Sequence, residues 1–373
     1  MDNGLERCEE QDMLDCMRYE YYIHYIGVER RNDRWVTEQF LKMDKEEIET
    51  QKQKINKEQE DKTNEDNLNR EKLFFNDENH GMTPKEVTEF MNQTKSKTVE
   101  SIMFGRYWLE TWYFTPLPKE YHTKCLYICD FCLYFCVHKK EFLRHSRKCL
   151  VRNPPGDEIY RDKDISFFEV DGSLQRVYCE NLSLIARMFL DHKNVYNTIE
   201  AFLFYILCEV KEDGMHFVGY FSKEKISSNT NNLSCILVMP FCQRSGYGKL
   251  LIEMSYSLSM LEEKPGTPER PLSDLGHRTY VSFWTRRVVK VLLELEEQEK
   301  EVSINSISDR TGMTSNDIFT VLNMHKIRRE DRNVSSLNCD RLFLESIFKL
   351  AGMPGREIKM KEIRWKPYKI MLI

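Results

Sequence analysis

The spacing Cys129-x2-Cys132-x12-His145-x3-Cys149 constrains this chain more tightly than any other stretch of it. Two cysteines on a tight turn and a His/Cys pair one helical turn apart close a tetrahedron around zinc. Phe142, three residues before His145, falls where a ββα finger puts a core apolar side chain, and Cys136 reads as a buried thiol in place of the other. Cys125 adds another nearby sulfur. Four protein ligands leave no open coordination position, so the expected zinc is structural. The rival reading is four unrelated polar residues in a cysteine-rich patch. The basic stretch Lys139–Lys148 suits a solvated helix face, and one finger does not by itself imply sequence reading of DNA.

How the cysteines are used depends on the compartment. There are 12 of them among 373 residues. Met1–Asp15 is acidic and lacks the basic-then-apolar layout of a signal peptide. No apolar run approaches the ~20 residues that span a bilayer. A reducing location is expected, with cysteines as thiols, metal ligands or a nucleophile. A net charge of −5 argues against a polycation that coats nucleic acid.

Along the chain, Tyr21, Ile23 and Tyr25 alternate with Tyr22 and His24, and Trp35 and Val36 follow a polar turn, which predicts a small aromatic-rich β unit. From Asp44 to about Asn79, Lys, Glu, Gln and Asn dominate, the composition of a linker. An ordered region begins near Lys95. Two strand-like runs flank Asp171-Gly172 over Ile165–Tyr178 and predict a hairpin; Leu182, Ile185, Ala186, Phe189 and Leu190 mark a helix. Phe202–Val210, Phe217–Phe221 and Leu233–Met239 read as strands. A helix follows with Leu251, Met254 and Leu258 on one face, then another through Trp284, Val288, Leu292 and Leu295. Ser303–Thr311, Gly312-Met313 and Thr314–Met324 read as helix, tight turn, helix. The class is α+β, a mixed sheet with a helical C-terminal part.

The strand Leu233–Met239 leads into Gln243-Arg244-Ser245-Gly246-Tyr247-Gly248-Lys249 and a helix. Glycines let the backbone approach a ligand, and the helix start presents N–H groups to a pyrophosphate. Neither the phosphate-binding loop of nucleotide hydrolases nor the dinucleotide fingerprint fits this spacing. Q-x-x-G-x-G after a strand is the acetyl-coenzyme A pattern of acetyltransferases; alone, it reads equally well as a plain glycine turn.

The stretch from Lys97 to Trp284 resembles the MYST family of histone acetyltransferases. The resemblance lies in GRYWLETWYFTPLPKEY (105–121), the finger, PPGDEIYR (154–161), FLDHK (189–193), VGYFSKEK (218–225), QRSGYGKLLIE (243–253) and GTPERPLSDLG (266–276), with IRWKPY (363–368) near the end. It implies an abbreviated chromo-barrel-like unit over 1–44, a charged linker over 45–94 and a MYST-type acetyltransferase domain over 95–373. Within that domain it implies the finger at 125–150, an acetyl-coenzyme A core at 155–280 and a helical region at 281–373. Family chromo-barrels carry another strand before the equivalent of Tyr21, where this chain has an acidic stretch, and Tyr22, Tyr25 and Trp35 read as core rather than as a methyl-lysine cage.

The resemblance places the catalytic glutamate at Glu269 and the active-site cysteine at Cys235. It assigns the thioester end of the cofactor to the backbone of Ile236, Leu237 and Val238, and the pyrophosphate to Arg244, Ser245, Gly246, Tyr247, Gly248 and Lys249, with Ser273 on the same ligand. Lys193 matches the lysine that relatives acetylate on themselves, and reads equally as an exposed helix-end lysine. Family mechanisms split between direct attack, favoured here with Glu269 as base, and an acetyl-cysteine route through Cys235. The implied function is acetyl transfer from acetyl-coenzyme A to lysines of nucleosomal histone tails, serving transcription and DNA repair. The implied setting is the nucleus, in a multisubunit nucleosome acetyltransferase complex, with a structural zinc, no membrane and at most non-specific DNA contact.

Three rivals remain open on the sequence. A non-catalytic chromatin adaptor predicts a decayed loop or base, and both are intact. An acetyltransferase for non-histone proteins fits equally well. A thiol hydrolase using Cys235 would need a histidine, for which His216 and His277 are the nearby candidates.

Overall fold

The computed structural model describes residues 20–23, 34–37, 97–190, 199–227, 230–298, 302–331, 334–337, 339–352 and 355–367. The chain divides into two compact units, Met1–Ile128 with Phe135–Phe142, and Cys129–Tyr134 with Leu143–Ile373.

In the first unit the aromatic N-terminal stretch forms an antiparallel pair, β1 (Glu20–Ile23) and β2 (Arg34–Thr37), with Tyr22 opposite Trp35. The rest of the predicted N-terminal unit, and the linker over 45–94, lie outside the described residues. A four-stranded sheet follows: β3 (Val99–Phe104), β4 (Tyr107–Glu110), β5 (Thr123–Ile128) and β6 (Phe135–Cys136), in the order β4-β3-β5-β6. β3 and β5 run parallel. Helix α1 (Lys139–Lys148) buries Phe142, whose ring lies 5.8 Å from that of Tyr127, and Cys136 is buried, as the finger pattern requires.

The second unit is built on β7 (Asp157–Asp162), β8 (Ile165–Asp171), β9 (Phe202–Lys211), β10 (Gly214–Glu224) and β12 (Ile236–Val238). These five form an antiparallel sheet ordered β12-β10-β9-β8-β7. Alternation sends Phe167, Tyr205 and Phe221 to one face, where Leu250, Leu251, Met254 and Leu258 of α3 (Tyr247–Leu261) complete a buried cluster. Helix α2 (Arg176–Arg187) buries Tyr178, Cys179, Leu182, Ile185 and Ala186.

Two sequence expectations give way here. Asp171-Gly172 does not join two strands. β8 pairs with β7 and β9, and the Asp171 carboxylate accepts the N–H of Ser173 at 2.7 Å, turning the chain into α2, so Val177 and Tyr178 are helical. A β-branched or aromatic residue in the first helical turn looks like strand when read alone. The predicted strand Leu233–Met239 is two strands: β11 (Asn231–Leu233) runs parallel with β13 (Thr267–Pro268), and β12 joins the main sheet.

A helical region completes this unit: α4 (Asp274–Glu297), α5 (Ile304–Thr311), α6 (Ser315–Met324) and α7 (Arg341–Leu350), with the hairpin β14 (Arg328–Asp331) and β15 (Val334–Leu337). Ser303 and Thr314 cap α5 and α6, and Gly312 takes φ +69° between them. Trp284, Val288, Leu292 and Leu295 of α4 lie in the core of this region with Ile318, Val321 and Leu344.

The β10–β12 contact is close enough to exclude a side chain. A Cβ on Gly219 would stand 2.4 Å from the carbonyl oxygen of Leu237. Gly219→Ala is therefore expected to cost about 1–3 kcal/mol, as overpacking does. The loss is read as a lower urea midpoint at unchanged slope.

Candidate active site and zinc site

Cys129, Cys132, His145 and Cys149 converge, their ligand atoms all within 4.8 Å of one another. Cys132 Sγ lies 3.2 Å from His145 Nε2, and Cys129 Sγ 4.0 Å from Cys149 Sγ. A tetrahedral zinc with Zn–S bonds of about 2.3 Å places its sulfurs roughly 3.8 Å apart, so the set fits the ion. The side-chain hydrogen bond with Cys132, helped by burial, raises the Cys129 thiol, and the same contact lowers Cys132. The turn between these cysteines is anchored from β10: His216 Nδ1 lies 3.0 Å from Asp130 Oδ2, and the His216 ring is 5.0 Å from that of Phe131. His145 stacks on Tyr134 at 5.0 Å.

The second cluster is organised by the break between β11 and β12. Ser222 of β10 donates its N–H to the Cys235 carbonyl (2.9 Å), its hydroxyl accepts the Cys235 N–H (3.2 Å), and its carbonyl accepts the N–H of Ser234 (2.8 Å). Three bonds from one buried serine fix the residue where the chain changes partners. On the other side, β13 pairs with β11, and the N–H of Glu269 donates to the Leu233 carbonyl at 2.8 Å. Glu269 thus stands beside the segment that leads into Cys235, with its side chain exposed. The next residue is held firmly: Arg270 donates to the buried carboxylate of Asp317 at 2.8 Å and lies 5.7 Å over the Trp284 ring. The N–H of Gly266, three residues before Glu269, donates to the carbonyl of Gly312. The helix-turn-helix therefore braces the glutamate's loop.

After β12 the chain makes a short 3-10 turn at Pro240–Cys242, and Gln243 Nε2 donates back to the Val238 carbonyl at 3.1 Å. Arg244 has φ +65° and Gly246 φ +84°. A left-handed arginine costs on the order of 1 kcal/mol, a strain that binding sites retain. Nothing lies within 4 Å of where a Cβ on Gly246 would be, and no side chain caps α3. Its N-cap therefore offers no side-chain acceptor to the first N–H groups, a condition that an anion site needs. Helix α4 starts at the same end. A Cβ on Gly248 would be 3.8 Å from Thr279, while Tyr256 accepts a bond from Trp284 and Glu253 meets Arg287, so α3 and α4 run side by side in one direction. Two helix N-termini then add their positive ends.

The structure brings Cys235, Ile236–Val238, Arg244–Lys249 and the Glu269 loop onto contiguous elements. Ser273 caps α4, its hydroxyl accepting the N–H of Gly276 at 3.1 Å. Burial and the neighbouring Arg286 lower the Lys249 ammonium. Lys193 lies outside the described residues. His216 is engaged by Asp130 and Asp213, and His277 is exposed on α4. Sequence reading missed Ser222 and the Arg270–Asp317 pair. Ser222 lies in the block VGYFSKEK, which carries the resemblance without singling out the serine, and Asp317 lies 47 residues from its arginine.

Residues 153–363 match the family model described as the MOZ/SAS family, and 96–149 the MYST family zinc finger domain. Residues 5–43 match the RNA binding activity-knot of a chromodomain. The chain is 42% identical over 373 residues to a putative MYST-like histone acetyltransferase of Oryza sativa subsp. japonica, covering 98% of this chain and 81% of that one. It is 42% identical to a histone acetyltransferase of the MYST family from Arabidopsis thaliana (94% and 78% covered). A histone acetyltransferase of Saccharomyces cerevisiae is 36% identical (93% and 86%).

Structural zinc sites supply about 10–16 kcal/mol, as large as a whole domain's net stability of about 5–15 kcal/mol. Chelation of the metal, or Cys132→Ala, is expected to abolish cooperative folding of the segment around Cys129 and His145. Amide hydrogen exchange over 129–149 checks this; unchanged protection after zinc removal would contradict a structural site.

Proposed function

The chain belongs to the MYST family of histone acetyltransferases, and from that premise we propose that it transfers acetyl groups from acetyl-coenzyme A to lysine side chains of nucleosomal histone tails. The observation that carries the reading is the break at Ser234-Cys235. It sets a glutamate's loop on one side and an open sheet edge with a glycine loop on the other.

Acetyl-coenzyme A supplies an activated thioester and an anionic pyrophosphate. The first turn of α3, with the backbone of Arg244–Lys249, receives the pyrophosphate through N–H groups that no side chain caps. Among the described residues no strand pairs with the outer edge of β12, so the backbone of Ile236–Val238 is available to orient and polarise a carbonyl. Glu269 takes the proton that makes a lysine nucleophilic: an ammonium with pKa ~10.4 is almost wholly protonated at neutral pH and does not attack until relieved of it. Its exposed carboxylate passes that proton to water. Cys235 lies beside the same centre. Direct attack by the neutral lysine nitrogen is the simpler route and is the one proposed.

Zinc, held by Cys129, Cys132, His145 and Cys149, shapes its turn and takes no part in the chemistry. We extend the proposal to a nuclear site of action within a multisubunit nucleosome acetyltransferase complex, at most non-specific contact with nucleosomal DNA, and self-acetylation at Lys193.

Acetylation of nucleosomes and free histones by wild type, Glu269→Gln and Cys235→Ala tests the assignment. Glu269→Gln is expected to lose at least about 100-fold in kcat at neutral pH, the scale of general-base catalysis, with partial recovery as pH rises and more lysine is neutral. Cys235→Ala is expected to retain most activity. Full activity of Glu269→Gln would remove the general base from the proposal.

A further inference from the structure

The last described segment of the chain reaches the coenzyme loop. A Cβ on Gly355 would stand 3.1 Å from Cβ of Lys249, so residues 355–356 cross directly over the first turn of α3. The next residue, Arg356, makes a two-pronged bond with Asp164 in the β7–β8 turn, both N–O distances being 2.9 Å. Its guanidinium lies 5.6 Å from the ring centroid of Tyr247. Tyr247 is the side chain between the two loop glycines. Its hydroxyl donates to Glu209 of β9 at 2.6 Å, and the ring is buried. Asp164 and Glu209 are themselves neighbours, since the N–H of Val210 donates to the Asp164 carbonyl. One aromatic ring of the glycine loop is thus held by its hydroxyl on one side and by an oriented guanidinium on the other.

We propose that Arg356 is a positioning residue for coenzyme binding, fixing the start of α3 through Tyr247. The inference rests on the coenzyme reading of that loop. A purely structural role explains the arrangement less well. Arg356 and Asp164 are 43% and 58% exposed, and such surface pairs contribute about 0–1 kcal/mol. An exposed cation over a ring adds about as little. Their effect is geometric: a planar fork locked to a carboxylate holds one orientation over the ring, which a lysine cannot reproduce.

Titration of coenzyme A into the full chain by calorimetry, with thermal midpoints recorded alongside, tests this. Arg356→Ala and Asp164→Ala are each expected to weaken Kd about tenfold, with thermal midpoints near that of wild type. The double variant is expected to be no weaker than either single one, because both changes remove the same restraint. Arg356→Lys, which keeps the charge and guards against a folding defect, is expected to bind as poorly as Arg356→Ala. In acetylation assays the KM for acetyl-coenzyme A should rise with kcat nearly unchanged. Binding within twofold of wild type by Arg356→Lys, or multiplicative losses in the double variant, would overturn the proposal. Failure of wild type to bind coenzyme A would instead overturn the acetyltransferase reading of the loop.

Discussion

A single extended segment, residues 231–238, has to satisfy two neighbours, and the rest of the candidate site follows from how it does so. A straight strand would complete either the β13 ladder or the β10 ladder. Here Asn231–Leu233 pairs with one and Ile236–Val238 with the other, and the transfer is made at Ser234-Cys235 by backbone bonds to Ser222. Backbone groups leaving water must find partners, and the Ser222 hydroxyl supplies the one, for the Cys235 N–H, that the β10 backbone does not. With it, the two ladders diverge, leaving the backbone of Glu269 bonded to Leu233 on one side and β12 paired with β10 on the other.

The helical region is subordinate to the same feature. Gly312 and Asp317, on the turn and the second helix of the helix-turn-helix, bond to Gly266 and Arg270 on either side of the glutamate. A motif that suggests DNA reading in isolation is here committed, through its turn and one buried carboxylate, to bracing a loop. The zinc turn shows a similar economy. Asp130, between two ligands, is held by His216 from the start of β10, which ties the metal site to the sheet that carries Ser222.

Much of this was legible in the sequence. The zinc ligands were legible because ligand chemistry and spacing leave few alternatives, and the α3 and α4 stripes because a helical period repeats over many residues. Family resemblance, not periodicity, singled out Glu269 and Cys235. The break at Ser234 was not legible: Leu233–Met239 is apolar apart from that one serine, and a single serine in such a run does not say that the segment serves two partners. Nor was the turn after Asp171, where strand-forming residues open a helix because an aspartate caps the turn locally. Arg270–Asp317 and Arg356–Asp164 are separated by 47 and 192 residues, and a single sequence carries no record of such pairings.

The main sheet has two edges, and the chain treats them differently. At β7, the N–H of Arg364 donates to the Ile159 carbonyl, and Trp365 donates to Glu169 at 2.6 Å, so the C-terminal segment covers that side. Uncovered edges recruit other strands. During synthesis, β7 to β12 emerge some 130 residues before the segment that covers β7. For that interval the nascent sheet exposes an edge that the finished protein hides, and chaperone dependence should concentrate there.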